Sequence, residues 1–218
     1  MGRLCECGDT GTGTYLRCQE SGFYPPAGKY IGNSRYKDVF AASAVADLTS
    51  FRNHWGAETS LDVELYRPVA RYELVAKDVA TFLNKLSTGG LKGESFTARV
   101  KYSDYLPTGY NLWDDVPKNS LMYMEYKVAF ERPADGTKDL QLGFDYVLTD
   151  AGETVPIPVE LEILNEKNEV LARTAFRIPC ERGKNTTVRG NFLTSDINGG
   201  IGIDPDYDGD LEVDLGEL

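Results

Sequence analysis

Two features of this 218-residue chain predict an antiparallel β-sandwich of Greek-key type that carries one short helix. Short runs alternate apolar and polar residues and are joined by turns rich in Gly, Asn and Asp, which is the pattern of half-buried strands. A single stretch near residue 80 has helical spacing instead. Many short strands with one helix pack most simply as two facing sheets. With 41% hydrophobic and 26% charged residues, the chain can form one large or two small domains with real cores.

In chain order, the first thirty residues are poor in large apolar side chains, and Phe23-Tyr24-Pro25-Pro26-Ala27-Gly28 reads as a loop. Residues 1–60 are expected to be the incomplete remnant of an N-terminal β domain, lacking pairing partners, and residues 61–218 the sandwich. Leu61, Val63 and Leu65 alternate with polar residues and should share one strand face. Pro68 has no ladder donor, so it belongs at a bulge, an edge or a crossing between sheets. The helix follows: Asp78 is placed to cap it, Val79, Phe82, Leu83 and Leu86 form its apolar stripe, and Gly89-Gly90 stops it.

The remainder is strands and turns. Phe96, Ala98, Val100 and Tyr102 alternate, and so do Leu140, Leu142, Phe144, Tyr146 and Leu148. Val159, Leu161 and Ile163 precede Asn165-Glu166-Lys167-Asn168 and a return strand with Val170, Ala172 and Thr174, which makes a hairpin. Pro156 and Pro158 point their missing donors the same way and suit an exposed edge. Residues 102–117 read as a loop over the open end of the sandwich with Trp113 as its plug. Thr186, Val188, Asn191 and Leu193 suggest a strand, Asn198-Gly199-Gly200 a turn, and Ile201-Gly202-Ile203 the start of a closing strand.

Charge and motifs narrow the function classes. A net charge of −11 repels nucleic acid and anionic membrane surfaces. No apolar run reaches the roughly 20 residues of a membrane helix, and the first residues lack the apolar stretch of a secretory signal. His54, the sole histidine, has no nucleophile motif around it and reads as a surface residue. No phosphate loop, dinucleotide fingerprint or H-E-x-x-H is present, so neither catalysis nor a cofactor is expected. The C-x-C of Cys5 and Cys7 is too tight for paired zinc knuckles, and the open readings are a Cys7–Cys18 disulfide or thiols packed as small apolar groups, Cys180 among them. Asp204, Asp206 and Asp208 open like a calcium loop, yet the twelfth position is Leu215 rather than a bidentate glutamate. A solvated turn is the expectation there.

Val188-Arg189-Gly190-Asn191-Phe192-Leu193-Thr194-Ser195, followed by Gly202-Ile203-Asp204-Pro205-Asp206-Tyr207-Asp208-Gly209-Asp210, resembles the C-terminal signature of the fimbrillin-like surface proteins of Bacteroidales. Tyr30-Ile31-Gly32-Asn33-Ser34-Arg35-Tyr36-Lys37-Asp38-Val39-Phe40 is similar to a segment late in that family's first domain, with Ala41-Ala42 departing from its Tyr-Gly. Arg67-Pro68-Val69-Ala70-Arg71 and the set Tyr105, Pro107, Tyr110, Asn111 and Pro117 follow two further motifs of the family. The resemblance implies a transthyretin-like sandwich, an N-terminal truncation, and a role as fimbrial subunit or as tip or anchor adhesin at the outer-membrane surface. It further implies partners joined by strand addition and a membrane link only through a lipid anchor upstream of Met1. Polymeric stalk subunits of that family carry a C-terminal extension, and the ending Gly216-Glu217-Leu218 weighs toward tip or anchor. The alternative is a carbohydrate-binding module in which Tyr105, Tyr110 and Trp113 contact sugar, because rings stack on sugar faces.

Overall fold

A computed structural model of the protein describes residues 30–195 apart from 45, 47, 48, 50, 51, 55, 57, 59, 90 and 92, and also describes three short strands at 7–9, 14–16 and 211–214. Cys7–Asp9 (β1) and Thr14–Leu16 (β2) pair antiparallel. After a 3-10 turn at Arg35–Lys37 come β3 (Val69–Ala76), α1 (Val79–Ser87), β4 (Ser95–Tyr102), β5 (Leu106–Asn111), β6 (Val116–Leu121) and β7 (Glu125–Glu131). Then follow β8 (Leu140–Leu148), β9 (Thr154–Asn165), β10 (Val170–Glu181), β11 (Asn185–Gly190) and β12 (Leu211–Asp214).

The strands build two four-stranded sheets, ordered β10-β9-β4-β7 and β12-β11-β3-β8, and a separate β5-β6 hairpin. Inward residues of both large sheets share one core: Tyr72 and Leu74 of β3, Phe96, Ala98 and Val100 of β4, and Leu161 and Ile163 of β9. Strict alternation makes β4 the cleanest case, since every second residue from Phe96 to Tyr102 is buried. The protein is thus a β-sandwich with one helix. One pair departs from antiparallel order, because β11 runs parallel to β3.

Helix α1 buries the stripe that its spacing predicts, Val79, Phe82, Leu83 and Leu86, and Phe82 meets Phe96 edge to face at 5.1 Å. Each such side chain contributes about 1.5–3 kcal/mol through burial. Asp78 does not cap the helix with its side chain. Its carboxylate instead accepts from the Leu193 and Thr194 N–H groups and from the Thr194 hydroxyl, tying the chain after β11 to the helix start. Leu193 and Phe192 are thereby held in the core.

Several sequence expectations need correction. Residues 61–65 belong to no strand, and Leu61, Val63 and Leu65 are 54%, 45% and 63% exposed rather than sharing a buried face. In β8 the alternating set is split by a bulge: Leu74 pairs with Gly143 but Val75 pairs with Gln141, leaving Leu142 as the extra residue. A bulge reverses side-chain parity. Leu140 and Leu142 therefore face the main core, as do Asp145 and Val147 beyond it, while Phe144, Tyr146 and Leu148 turn to a smaller cluster with Val69.

Pro156 and Pro158 lie in an inner strand, yet the edge argument holds locally. Pairing of β4 with β9 ends at Tyr102 and Val159, and the Ser103 N–H reaches the Pro158 carbonyl at 3.0 Å. The proline nitrogens thus face the side where β4 has stopped. The loop expected over the open end is the β5-β6 hairpin, and Trp113 at its tip is 74% exposed, so it plugs nothing. The closing strand is β12, antiparallel to β11; Ile201 and Ile203 lie outside the described residues.

Candidate functional site

Residues 30–41, placed by sequence in the N-terminal remnant, lie against β8 and send two side chains into the sandwich core. The Asn33 N–H donates to the Phe144 carbonyl at 2.9 Å, and the Phe144 N–H donates to the Asn33 side chain at 3.2 Å. At the end of the segment Ala41 and Tyr66 exchange two backbone hydrogen bonds. Arg67 donates to Asp38 at 2.9 Å and stacks over Phe40 at 4.5 Å. Gly32 sits so close to Tyr126 that a Cβ there would fall 2.3 Å from the ring, which explains a glycine at this position.

The two inserted side chains are Tyr30 and Lys37, and they converge on Asp145 of β8. The Lys37 ammonium donates to Asp145 Oδ1 at 2.6 Å and to the Tyr30 hydroxyl at 2.6 Å; the pair is 3% and 0% exposed. Asp145 Oδ2 accepts from Tyr30 at 2.5 Å and from Tyr102 at 2.7 Å, and Oδ1 also takes the Tyr146 N–H. Tyr72 links Tyr102 at 2.7 Å and Tyr126 at 3.2 Å, extending the network across both sheets. Burial pulls the Lys37 pKa down against the opposing pull of Asp145. Burial likewise raises Tyr30, Tyr72, Tyr102 and Tyr126 well above the usual tyrosine value, and the Asp145 charge adds to it. Closed to solvent, this cluster fastens the segment to the sheet; it offers no surface to a substrate.

A second cluster fastens the hairpin. The Tyr110 hydroxyl donates to Asp115 at 2.7 Å, Arg182 donates to both at 2.8 Å, and the Arg182 guanidinium lies 4.7 Å over the Tyr66 ring. Asp115 adopts φ 57°, the left-handed region, to close the turn. Hydrogen bonds from Tyr66, Arg182 and Tyr110 hold its carboxyl below the usual range although desolvation pushes the other way.

The three residues named as sugar contacts are not brought together. Tyr110 is engaged in that cluster, Tyr105 precedes β5 at the hairpin base, and Trp113 stands at the tip. Six strand rises, about 20 Å, separate Tyr105 from Asn111 at the tip end of β5. Asp204, Asp206 and Asp208 lie outside the described residues, as do Cys5 and Cys18. Among the described residues no group of three His, Cys, Asp or Glu side chains is placed to hold a metal ion. Cys180 is buried and outside any disulfide, and burial pushes its thiol up to about 12. His54 is exposed. Among the described residues no helix is long and apolar enough to cross a membrane.

Sequence reasoning missed the Lys37–Asp145 pair. The available signal was Asp145 itself, an acid in the apolar run Leu142-Gly143-Phe144-Asp145-Tyr146-Val147-Leu148. A lone carboxylate among core residues needs a buried partner.

No curated protein matches this chain. Among solved structures it is similar to a candidate cell adhesion protein from Bacteroides ovatus ATCC 8483, at 13% identity with a TM-score of 0.35, over 75% of this chain. The chain spans 57% of that structure's length. A family model, described as a family of unknown function, DUF6562, matches residues 23–216. The chain therefore belongs to the DUF6562 family.

Proposed function

We propose that the protein is a non-catalytic component of adhesive surface fimbriae, a subunit or a tip or anchor accessory, that joins its neighbours by strand addition. The resemblance of its motifs to fimbrillin-like proteins suggests the class. The observation that carries the reading is the segment at residues 61–65, which lies outside every sheet and holds Leu61, Val63 and Leu65 more than two-fifths exposed. Such a segment has what an added strand requires: unpaired backbone groups and apolar side chains at every second position for alternate pockets. The location that goes with this role is the cell surface. The carbohydrate-module alternative lacks a comparable observation, because its three aromatic residues do not form one platform.

Sedimentation of the full chain and of a Leu61→Ser/Val63→Ser/Leu65→Ser variant tests the proposal. The full chain should associate with rising concentration, and the variant should stay monomeric with an unchanged Tm, since these residues contribute little burial. A chain that is monomeric at all concentrations, or that turns over a glycan or ester in a substrate screen, overturns it.

A further inference from the structure

The outer face of the β10-β9-β4-β7 sheet departs from the acidity of the chain as a whole. Residues directly opposite one another across its four strands form the row Lys127, Arg99, Glu162, Arg173, and the next row is Glu125, Lys101, Glu160, Ala175. Arg177 extends the same face of β10. Five cations thus meet three carboxylates in a chain whose net charge is −11. Two further acids on the same face, Glu131 of β7 and Glu181 of β10, each lie about 13 Å further along their strands, so the cationic character is confined to these central rows.

Glu162 gives the face its order. Its carboxylate is fully buried and accepts Nε and Nη2 of Arg99, Nε and Nη2 of Arg173, and the Lys101 ammonium at 2.9 Å. Glu160 takes Lys101 at 3.0 Å. Each guanidinium is held edge-on by the buried acid, which leaves Nη1 directed away from it, and the two arginines sit two strands apart, about 9.6 Å. A fixed planar donor fork is what carboxylates and sulfates bind.

We propose that this sheet face binds an acidic glycan, a linear polysaccharide carrying carboxylate or sulfate groups, with Arg99, Arg173, Lys127 and Arg177 as its contacts. No exposed large apolar residue lies on these four strands, so the face lacks the apolar centre that a folded protein partner would use. Nucleic acid, with one charge per about 1.7 Å, would set far more anions against this face than its few cations can pair. A glycan with sparser charges can engage the row alone, because the other charges are screened beyond about 8 Å at physiological salt.

The test uses the full chain with chondroitin sulfate, polygalacturonate, neutral dextran of matched length and polyglutamate, followed by calorimetry at low and physiological ionic strength. The variant is Lys127→Glu/Arg177→Glu, which leaves the Glu162 clamp in place and should fold normally by circular dichroism. Expected is binding to at least one acidic glycan, none to dextran, weakening with salt, and at least tenfold loss in the variant. No binding to either acidic glycan at low salt, an unchanged affinity in the folded variant, or polyglutamate binding as tightly as the glycans would overturn the proposal. The residues at 61–65 take no part in it, so its failure is separate from that of strand addition.

Discussion

Replacing Lys37 by Met would leave Asp145 charged in a site that is 0% exposed. Methionine keeps most of the volume, so the change isolates the ammonium. Removing one partner of a buried ion pair costs about 3–5 kcal/mol. Asp145 would still accept from Tyr30, Tyr102 and the Tyr146 N–H, and it could take up a proton. Both effects limit the loss, and about 3 kcal/mol is expected. In Lys37→Met/Asp145→Asn no charge is buried and the amide oxygen can still accept from tyrosine, so the loss should shrink to about 1–2 kcal/mol. Urea unfolding followed by tryptophan fluorescence would give the cycle, with a coupling of at least roughly 2 kcal/mol expected for groups in direct contact. Amide exchange should locate the damage, with residues 30–41 and Phe144 opening before β4 or β9. A loss below about 1 kcal/mol in Lys37→Met, or strict additivity in the cycle, would refute the fastening role.

Three other outcomes follow from the same geometry. Tyr30, Tyr72, Tyr102 and Tyr126 have raised folded pKa values, so above pH ~10 the unfolded chain releases protons that the folded chain retains and stability falls as pH rises, by up to about 1.4 kcal/mol per unit for each. Lys37, whose folded pKa is lowered, acts with opposite sign between that value and 10.5; urea midpoints from pH 8 to 11 should nevertheless drop, and a flat profile would contradict the buried network. Gly32→Ala places a methyl 2.3 Å from the Tyr126 ring and should cost about 1–3 kcal/mol by thermal unfolding, with exchange rising first in residues 30–41. Asp78→Ala strands two N–H groups and a hydroxyl near Leu193, so a loss of about 1–3 kcal/mol is expected, with the 190–195 segment rather than α1 becoming exchange-labile.

Where one physical rule governed a stretch, the sequence showed it. Strand β4 alternates without interruption and α1 has one apolar stripe, so period alone located both. In β8 the alternation was genuine, yet the bulge at Leu142 and Gly143 reversed its faces, and nothing in the pattern announces an extra residue in a ladder. Leu61, Val63 and Leu65 show the converse: their spacing is that of a strand, but no neighbouring strand pairs with them, and pairing is a tertiary fact. Asp78 read as a cap because it precedes a helix. Its partners, Leu193 and Thr194, are more than a hundred residues away. Lys37 was invisible for the same reason, since a lysine beside Tyr36 and Asp38 looks like surface until the fold brings β8 beneath it.

The burial of Lys37 needs a reason beyond stability, because an apolar pair of the same volume would fasten the segment at least as well. Residues 30–41 offer few anchors to apolar packing: Ile31, Tyr36 and Phe40 are exposed, and Asn33 supplies the two main hydrogen bonds to β8. A single backbone hydrogen bond to β8, from the Asn33 N–H to the Phe144 carbonyl, is no ladder and does not by itself fix where the segment sits on the sheet edge. Slippage here would withdraw the ammonium from Asp145 and drive the residue at position 32 off its close approach to Tyr126. Only one register satisfies both conditions. The ion pair therefore selects where the segment sits, and Lys37→Met should broaden its register as well as weaken it, visible as new cross-links from position 33 to β8 residues other than Phe144.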